Sequence, residues 1–393
     1  MNKTTNRRQW LQRAGLSSAG FLLAPAITSQ ARPQATAKTW SSKSRVWERN
    51  LTYTPEMNGL RARLLANENP YGPSDKAKVA MMEAISDGNR YQHADAARLK
   101  TMLAEREGVT TDHIILGPGS TDLLEKVAIT QFLDGGNVVS ADPAYMALIK
   151  TALAFRAEWR NVPLTKDWAH DLDAMYKAID SDTKLVYICN PNNPTGSLTD
   201  SDALRTFCRK AAKKAMVFVD EAYLEFLAPS EQDSMVDLVE EGHNIIVTRT
   251  FSKIHAMAGL RVGYSVGLPD TLEAITDKVR DNMGLNVSAI RGAMASLEDE
   301  TFLTNSRNWT RETREYTFDS LKALGYDPIP SYTSFMLFPL LPETDGKAYL
   351  EQMYGEGVGV RVFEVDDKPW CRVSMGTMPE MQLFVESFKR VVG

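Results

Sequence analysis

The segment KLVYICNPNNPTG, residues 184–196, is a short apolar run that ends in a turn rich in Asn, Pro and Gly. The same pattern, an apolar run followed at once by polar residues, recurs in MVFVDEAY at 216–223 and in NIIVTRTFSK at 244–253. Residues 203–214, between the first two runs, have the apolar spacing of a helix with one buried face. Strands that alternate with helices in this way predict an α/β fold with a mostly parallel sheet flanked by helices.

This alternation extends from about Asp75 to Gly284. Further helices are predicted at 77–85, 94–107 and 121–132, and further strands at 113–116 and 137–140. Beyond Gly284 the pattern changes to a long helical stretch at 303–324, short strand-like runs and a last helix. We therefore predict a linker and N-terminal arm at 32–75, a large domain at 76–284 and a smaller α+β domain at 285–393.

Composition and charge narrow the classes of function. The chain has 393 residues, which is enough for two domains, and a net charge of −5. So small a charge for this length argues against nucleic acid or an anionic membrane as the main partner. The three cysteines and five histidines are scattered, without the spacing of a disulfide framework or a zinc site. We therefore predict no metal site, and no membrane association of the mature protein.

Residues 1–31 have the features of an export signal peptide. Arg7 and Arg8 precede the bulky pair Trp10-Leu11, and a weakly apolar run at 14–27 leads to small residues suited to cleavage. Paired arginines before such a run resemble a twin-arginine signal, which the export machinery for folded proteins recognises. We therefore predict export to the periplasm. The alternative is an amphipathic N-terminal arm that is never cleaved, which would leave the protein in the cytoplasm.

The polar groups that follow the predicted strands indicate one binding site. In an open parallel sheet, ligands bind beyond the carboxyl ends of the strands. The segments expected at that edge are GPGST (117–121), DPAY (142–145), NPNNPTG (190–196), DEAY (220–223) and TFSK (250–253). One crevice is therefore expected to collect all of them.

The GPGST segment leaves a predicted strand and enters a predicted helix. Backbone N–H groups and hydroxyls in that position are suited to a phosphate. The segment matches neither the dinucleotide-binding fingerprint nor a P-loop. A plain tight turn before a capped helix is the alternative.

Lys253 follows a strand that is expected to be buried and precedes the glycine-rich stretch AGLRVG at 258–263. Most lysines are solvated surface charges. A lysine that is partly desolvated near other cations has a lowered pKa, however, and Schiff-base chemistry needs such a lysine. Ser252 and Arg261 are close enough in sequence to bind a phosphate beside it.

Asp220 ends a predicted strand, where it is either a satisfied turn residue or the partner of a protonated ring nitrogen. Tyr223 and Asn193 would bring a hydroxyl and an amide to the same ring, and Tyr145 would stack on its face. These residue types suit a ring that withdraws electrons from a bound substrate.

Together these segments resemble the fold-type I aminotransferases of classes I and II, and especially the histidinol-phosphate aminotransferase branch. The likeness rests on NPNNPTG, DEAY, SK and AGLRVGY in this order, and it extends from about Leu64 to the C-terminus. It implies pyridoxal 5′-phosphate as the cofactor, bound as a Schiff base to Lys253, which also carries protons between substrate and cofactor. It further implies contacts of the cofactor ring with Asp220 at the pyridine nitrogen, Tyr223 and Asn193 at the phenolic oxygen, and Tyr145 at the ring face.

The resemblance also implies roles for residues around the ring. Arg372 matches the arginine that binds the α-carboxylate or an equivalent anion of the substrate, and Asn67 lies in a motif near the substrate. Arg361 is either an arginine that binds a distal phosphate of the substrate or a surface residue. Tyr91 matches a tyrosine that reaches the phosphate of the neighbouring subunit, which implies a homodimer. The implied phosphate-binding residues are Ser120, Thr121, Thr250, Ser252 and Arg261.

The resulting hypothesis is a ping-pong aminotransferase that moves an amino group between an amino acid, or an amino-alcohol phosphate such as histidinol phosphate, and a 2-oxo acid. A lyase, decarboxylase or cyclase with the same cofactor is the first alternative, because the motifs define the carbanion chemistry and not the bond that breaks. The second is an exported protein that binds the cofactor or an amino acid without catalysis, although such a protein has no need of Lys253. Export would separate the enzyme from cytosolic histidine biosynthesis, so the substrate stays open.

Overall fold

The structure, a computed structural model, describes residues 59–280 and 284–393. The predicted signal peptide and most of the predicted linker lie outside the described residues. Within the described ranges, no helix is both long and apolar enough to cross a membrane.

Strands and short helices alternate through most of this part of the chain. In chain order the strands are β1 (Ala62–Arg63), β2 (Ile114–Gly117), β3 (Asn137–Asp142), β4 (Glu158–Pro163), β5 (Thr183–Cys189), β6 (Met216–Asp220), β7 (Ile245–Thr250), β8 (Gly263–Gly267), β9 (Phe335–Pro339), β10 (Val358–Gly359), β11 (Arg361–Val365) and β12 (Lys368–Ser374). The α-helices are α1 (Asp75–Ala84), α2 (His93–Glu107), α3 (Ser120–Gln131), α4 (Ala147–Ala154), α5 (Leu172–Ala178), α6 (Ser201–Ala211), α7 (Asp237–Glu240), α8 (Pro269–Thr276), α9 (Val287–Leu297), α10 (Glu300–Ala323), α11 (Gly346–Gly355) and α12 (Met378–Val392).

The largest sheet has seven strands in the spatial order β2-β8-β7-β6-β5-β3-β4. Strand β8 is antiparallel to both of its neighbours, and the other pairs are parallel. The predicted α/β fold with a mostly parallel sheet is therefore confirmed.

Both faces of this sheet are buried. Along β6, Val217 and Val219 contribute to one core cluster, and Met216 and Phe218 to the other, because side chains alternate along a strand. Helices α2, α6 and α9 pack on the first face, and α3, α4 and α8 on the second. Complete burial of one such apolar side chain stabilises the fold by about 1.5–3 kcal/mol.

Local capping defines where several helices begin. The Asp200 side chain accepts the backbone N–H of Ala203 at 2.9 Å in the first turn of α6. Thr377 and Glu380 form a reciprocal capping box in the first turn of α12. These contacts satisfy N–H groups that have no partner within the helix.

A smaller region is built on a second and a third sheet. Strands β11-β12-β9 form an antiparallel sheet, and β1 pairs in parallel with β10. Phe338, Phe384 and Phe388 pack together at the centre of this region, where helices α10, α11 and α12 also bury side chains. The predicted smaller α+β region is thus present.

Two segments pack differently from the predicted domain division. Helix α9, which the division assigns to the small domain, buries Ala289 and Ile290 in the same core as Val217 of the large sheet. Strand β1, assigned to the N-terminal arm, contributes Ala62 to the core of the smaller region. An apolar pattern shows that a face is buried, but it does not show which sheet that face covers.

Candidate active site

A cavity of about 300 Å³ lies at the carboxyl ends of the parallel strands. The loops after β2, β3, β5, β6 and β7 all contribute to its wall, together with the N-terminal arm and strands β11 and β12. The predicted site residues that line it are Asn67, Ser120, Thr121, Tyr145, Asn193, Asp220, Tyr223, Ser252, Lys253, Arg261, Arg361 and Arg372. Thr250 and Tyr91 are outside this lining.

Lys253 follows β7 and points its amine toward the arm. Its Nζ donates to the backbone carbonyl of Asn67 at 3.2 Å. Burial and the nearby Arg372 lower the pKa of Lys253 to about 8, against the opposing effects of Glu68 and Asp220. A large fraction of the amine is therefore neutral, and hence nucleophilic, near pH 8.

Asp220 ends β6 at the buried end of the cavity. Its Oδ1 accepts the backbone N–H of Ala222 at 3.1 Å, and its Oδ2 accepts the hydroxyl of Tyr187 at 3.3 Å. Burial raises the pKa of Asp220 to about 6, although these hydrogen bonds and Lys253 act in the opposite direction. A cationic ring nitrogen beside this carboxyl would favour its ionised form.

A cradle for an anion lies at the N-terminus of α3. Gly119 has a φ of +86°, and a Cβ on this residue would lie 2.0 Å from the Arg261 guanidinium. Arg261 also donates to Ser252 Oγ at 3.1 Å. A Cβ on Gly263 would lie 2.6 Å from the backbone nitrogen of Ser120. Glycine at both positions thus lets an arginine, a helix N-terminus and serine hydroxyls converge, as a phosphate site requires.

The hydroxyls of Thr121 and Thr250, which were also predicted to bind the phosphate, make different contacts. The hydroxyls of Thr121 and Tyr145 are 3.2 Å apart at the cavity wall. Thr250 is buried, where its Oγ1 accepts the Ser252 N–H at 3.1 Å and donates to the Val262 carbonyl at 3.4 Å. Thr250 therefore bonds to the backbone of the cradle and is not part of the cavity lining.

Arg372 on β12 is enclosed by two aromatic rings. Its guanidinium carbon lies 5.3 Å from the ring centre of Phe335 and 5.1 Å from that of Phe363. It donates to Asn193 Oδ1 at 2.8 Å and to the Leu65 carbonyl at 3.2 Å. These contacts hold a buried cation at the cavity, where a carboxylate or phosphate would be its natural partner.

Residues 62–388 match the family described as aminotransferase class I and II. The chain belongs to this family. It is 36% identical over 331 residues to histidinol-phosphate aminotransferase 1 of Dechloromonas aromatica (strain RCB), covering 84% of this chain and 90% of that protein. It is 33% identical over 334 residues to the histidinol-phosphate aminotransferase of Moorella thermoacetica, covering 84% and 85%. The solved histidinol-phosphate aminotransferase from Sinorhizobium meliloti in complex with pyridoxal-5′-phosphate is similar with a TM-score of 0.79 and 26% identity, covering 87% of this chain and 95% of that one.

As a member of the aminotransferase family, this protein is a transaminase that uses pyridoxal 5′-phosphate. The residues at the cavity fit this cofactor. Lys253 supplies the amine that would hold it covalently, buried Asp220 would pair with its ring nitrogen, and the cradle between Gly119 and Arg261 would hold its phosphate. When bound, the cofactor supplies an electron sink for the carbanion of the substrate.

Sequence reasoning overlooked several residues of this aminotransferase site. Cys189 and Phe363 line the cavity, whereas Tyr187 and Ser374 lie behind Asp220 and Asn67. Ser374 carried a usable signal, since it follows Arg372 by two positions and therefore lies on the same face of the strand. Tyr187 had no local signal, because its partner is 33 residues away in the sequence.

Proposed function

We propose that this transaminase works by a ping-pong mechanism, in which one amino donor gives up its amino group before a 2-oxo acid takes it. The observation that carries the proposal is the grouping of Lys253, Asp220 and Arg372 around one cavity of about 300 Å³. A nucleophilic amine, a partner for a ring nitrogen and an anion-binding guanidinium are the groups that both half reactions need.

Each residue has a distinct task in this mechanism. Arg372 binds the anionic group of the donor and thereby orients its α-carbon toward Lys253. The free amine of Lys253 would take the α-proton of the donor and later release it, acting as base and then as acid. Its pKa of about 8 suits both directions of proton transfer. Asp220 would pair with the ring nitrogen of the cofactor, and Tyr223 and Asn193, which line the same cavity, would contact its phenolic oxygen.

The proposed donor is an amino acid or an amino-alcohol phosphate such as histidinol phosphate. Support comes from the relatives, which are named histidinol-phosphate aminotransferases, and from two arginines in one cavity, Arg361 and Arg372. Two guanidinium groups favour a donor with a phosphate or with two carboxylates.

The visible absorption spectrum of the full chain tests this function. A yellow band that borohydride bleaches, with the reduced label on Lys253, is expected in the wild type and absent from Lys253→Ala. Added L-histidinol phosphate or L-glutamate should convert the band to that of the amine form, and a 2-oxo acid should restore it. Conversion with release of CO₂ or elimination of phosphate would instead indicate a decarboxylase or a lyase. A protein that binds the cofactor but transforms no donor would be a binding protein.

We also propose a homodimer in which Tyr91 reaches the phosphate site of the neighbouring subunit. Tyr91 is 83% exposed, and Ile85, which lines the same surface pocket, is 69% exposed. Such exposure is unusual for large apolar side chains and typical of an interface. Mixing Lys253→Ala subunits with Tyr91→Ala subunits tests this arrangement. Hybrid dimers should regain activity because one of their two sites has both wild-type residues, whereas two independent monomers should regain none.

Finally, we propose that the chain is exported to the periplasm by the twin-arginine machinery. The support is the sequence of residues 1–31, with Arg7-Arg8 before a weakly apolar run. Replacement of Arg7 and Arg8 by Lys should retain the protein in the cytoplasm, as cell fractionation would show. Equal cytoplasmic amounts of both forms would favour the uncleaved arm instead.

A further inference from the structure

Asn67 is the residue at which the N-terminal arm contacts two catalytic side chains. Its backbone carbonyl accepts the amine of Lys253 at 3.2 Å. Its side-chain Nδ2 donates to the hydroxyl oxygen of Tyr223 at 3.0 Å. Asn67 is 2% exposed, so water does not compete for these bonds. The sequence-based assignment of Asn67 to the substrate leaves out both contacts.

Asn67 is itself held by Ser374, at the end of β12. The Asn67 backbone N–H donates to Ser374 Oγ at 2.8 Å, and the Ser374 hydroxyl donates back to Asn67 Oδ1 at 2.8 Å. Asn67 has a φ of +53°, in the left-handed region that asparagine tolerates better than most residues. The reciprocal pair of bonds therefore fixes both the backbone conformation and the orientation of the side-chain amide.

The orientation of this amide determines what the Tyr223 hydroxyl can do. Because Ser374 donates to Oδ1, Asn67 presents Nδ2 to Tyr223. The Tyr223 oxygen then accepts a hydrogen bond, and its own O–H is left to donate toward the cavity. With the amide reversed, Asn67 Oδ1 would accept a hydrogen bond from the Tyr223 hydroxyl. The cavity would then lose a hydrogen-bond donor.

We propose that Ser374 is a positioning residue that, by fixing Asn67, directs the hydroxyl of Tyr223 into the cavity and keeps a backbone carbonyl beside the amine of Lys253. This inference rests on the proposed function, in which Tyr223 and Lys253 act on the cofactor. Ser374 also follows Arg372 by two positions on β12. One strand therefore carries both the anion-binding residue and the residue that orients the Tyr223 hydroxyl.

The test is the pH titration of the absorbance of the lysine-bound cofactor in Ser374→Ala. A hydroxyl that donates to the phenolic oxygen stabilises its anionic form and so lowers the pH midpoint of this absorbance. Ser374→Ala should therefore raise the midpoint by about one pH unit, a tenfold change in the protonation equilibrium. The maximal rate at which saturating L-glutamate converts the bound cofactor to its amine form should fall about tenfold. The L-glutamate concentration that gives half of this rate should change much less. Ser374→Thr keeps the hydroxyl and should restore the wild-type midpoint.

Ser306→Ala is the matched control. Ser306 is a serine that is 1% exposed and accepts Nδ2 of Asn69, two residues along the same arm, at 3.1 Å. It tests whether loss of any buried serine contact to the arm gives the same result. Its midpoint and its maximal rate should stay at the wild-type values.

A double-mutant cycle shows whether Ser374 acts through Asn67. The midpoint of Ser374→Ala/Asn67→Ala should equal that of Asn67→Ala alone, because without the Asn67 amide Ser374 no longer has a side chain through which to orient Tyr223. Additive shifts, an unchanged midpoint in Ser374→Ala or an equal shift in Ser306→Ala would overturn the inference while leaving the wild-type reaction intact. A wild type without a Lys253-bound band would contradict the proposed function itself.

Discussion

Arg361 and Arg372 lie directly opposite each other in the antiparallel pair β11–β12. Opposed residues in such a pair project from the same face of the sheet, with Cβ atoms about 5 Å apart. Both side chains line the cavity, and Arg372 is held there by Asn193 and two phenylalanine rings. Adjacent guanidinium groups repel each other unless an anion joins them, so the pair is suited to a substrate with high negative charge.

Arg372→Ala should raise the KM of every amino donor about 100-fold, because each donor loses a buried charged partner. Arg361→Ala should raise the KM of L-glutamate and L-histidinol phosphate more than that of L-leucine, which carries a single carboxylate. Steady-state kinetics with the three donors measures both effects. Equal KM values for Arg361→Ala and the wild type would mean that Arg361 lines the cavity without binding the donor.

Gly119→Ala should weaken cofactor binding at least about tenfold, since the added Cβ would overlap Arg261 and the backbone has a positive φ. The dissociation constant of pyridoxal phosphate, from fluorescence titration, measures the effect. Gly259→Ala is the control, since a Cβ at Gly259 has no neighbour within 4 Å. If both variants bind the cofactor as tightly as the wild type, the phosphate site lies elsewhere.

The rate at which Lys253 captures the cofactor should rise with pH through a midpoint near pH 8 before it levels off. Burial and Arg372 lower the pKa of Lys253 to about 8, so the reactive neutral amine is the major form only above that value. The growth of the absorbance band after mixing, followed from pH 6 to pH 10, gives this profile. Arg372→Met removes a neighbouring cation and should move the midpoint upward, toward the ordinary lysine value. A midpoint above 10 in the wild type would mean that burial does not perturb this amine.

Arg249→Met should lower the free energy of unfolding by about 3–5 kcal/mol. Arg249 is 8% exposed and bridges two buried carboxylates, Glu107 at 3.0 Å and Glu221 at 3.1 Å. Its loss leaves both without their cation. Urea denaturation measures the change. Arg209→Ala breaks an exposed pair with Glu241 and should change the free energy little.

The parts of the fold predicted best were those whose burial shows in the sequence. The run at 184–189 corresponds to strand Thr183–Cys189, in which six of seven residues are buried. Strand Glu158–Pro163 gave no such signal, because it lies at the edge of the sheet and buries only Val162. Because the other side chains of this edge strand stay at least partly exposed, three of them polar or charged, no apolar run reveals it.

The residues of the site also differ in how readily the sequence reveals them. Lys253, Asp220 and Asn193 stand in local motifs, and sequence alone was enough to single them out. Thr250 stands in such a motif as well, yet its hydroxyl bonds to the Val262 carbonyl. Proximity in sequence does not determine side-chain direction at a turn. Ser374 acts across the whole fold, and only the structure brings it to Asn67.

The bonds between Asn67 and Ser374 join residues 307 positions apart, and β1 pairs with β10 near the other end of the chain. A ribosome adding about 5–20 residues per second needs roughly 15–60 s to span that interval. During this time the large sheet can form, while the arm has no partner strand. The active site is therefore completed only after β12 has been synthesised, and a chain cut short before β12 would keep the strands of its large sheet but lack Arg372 and Ser374.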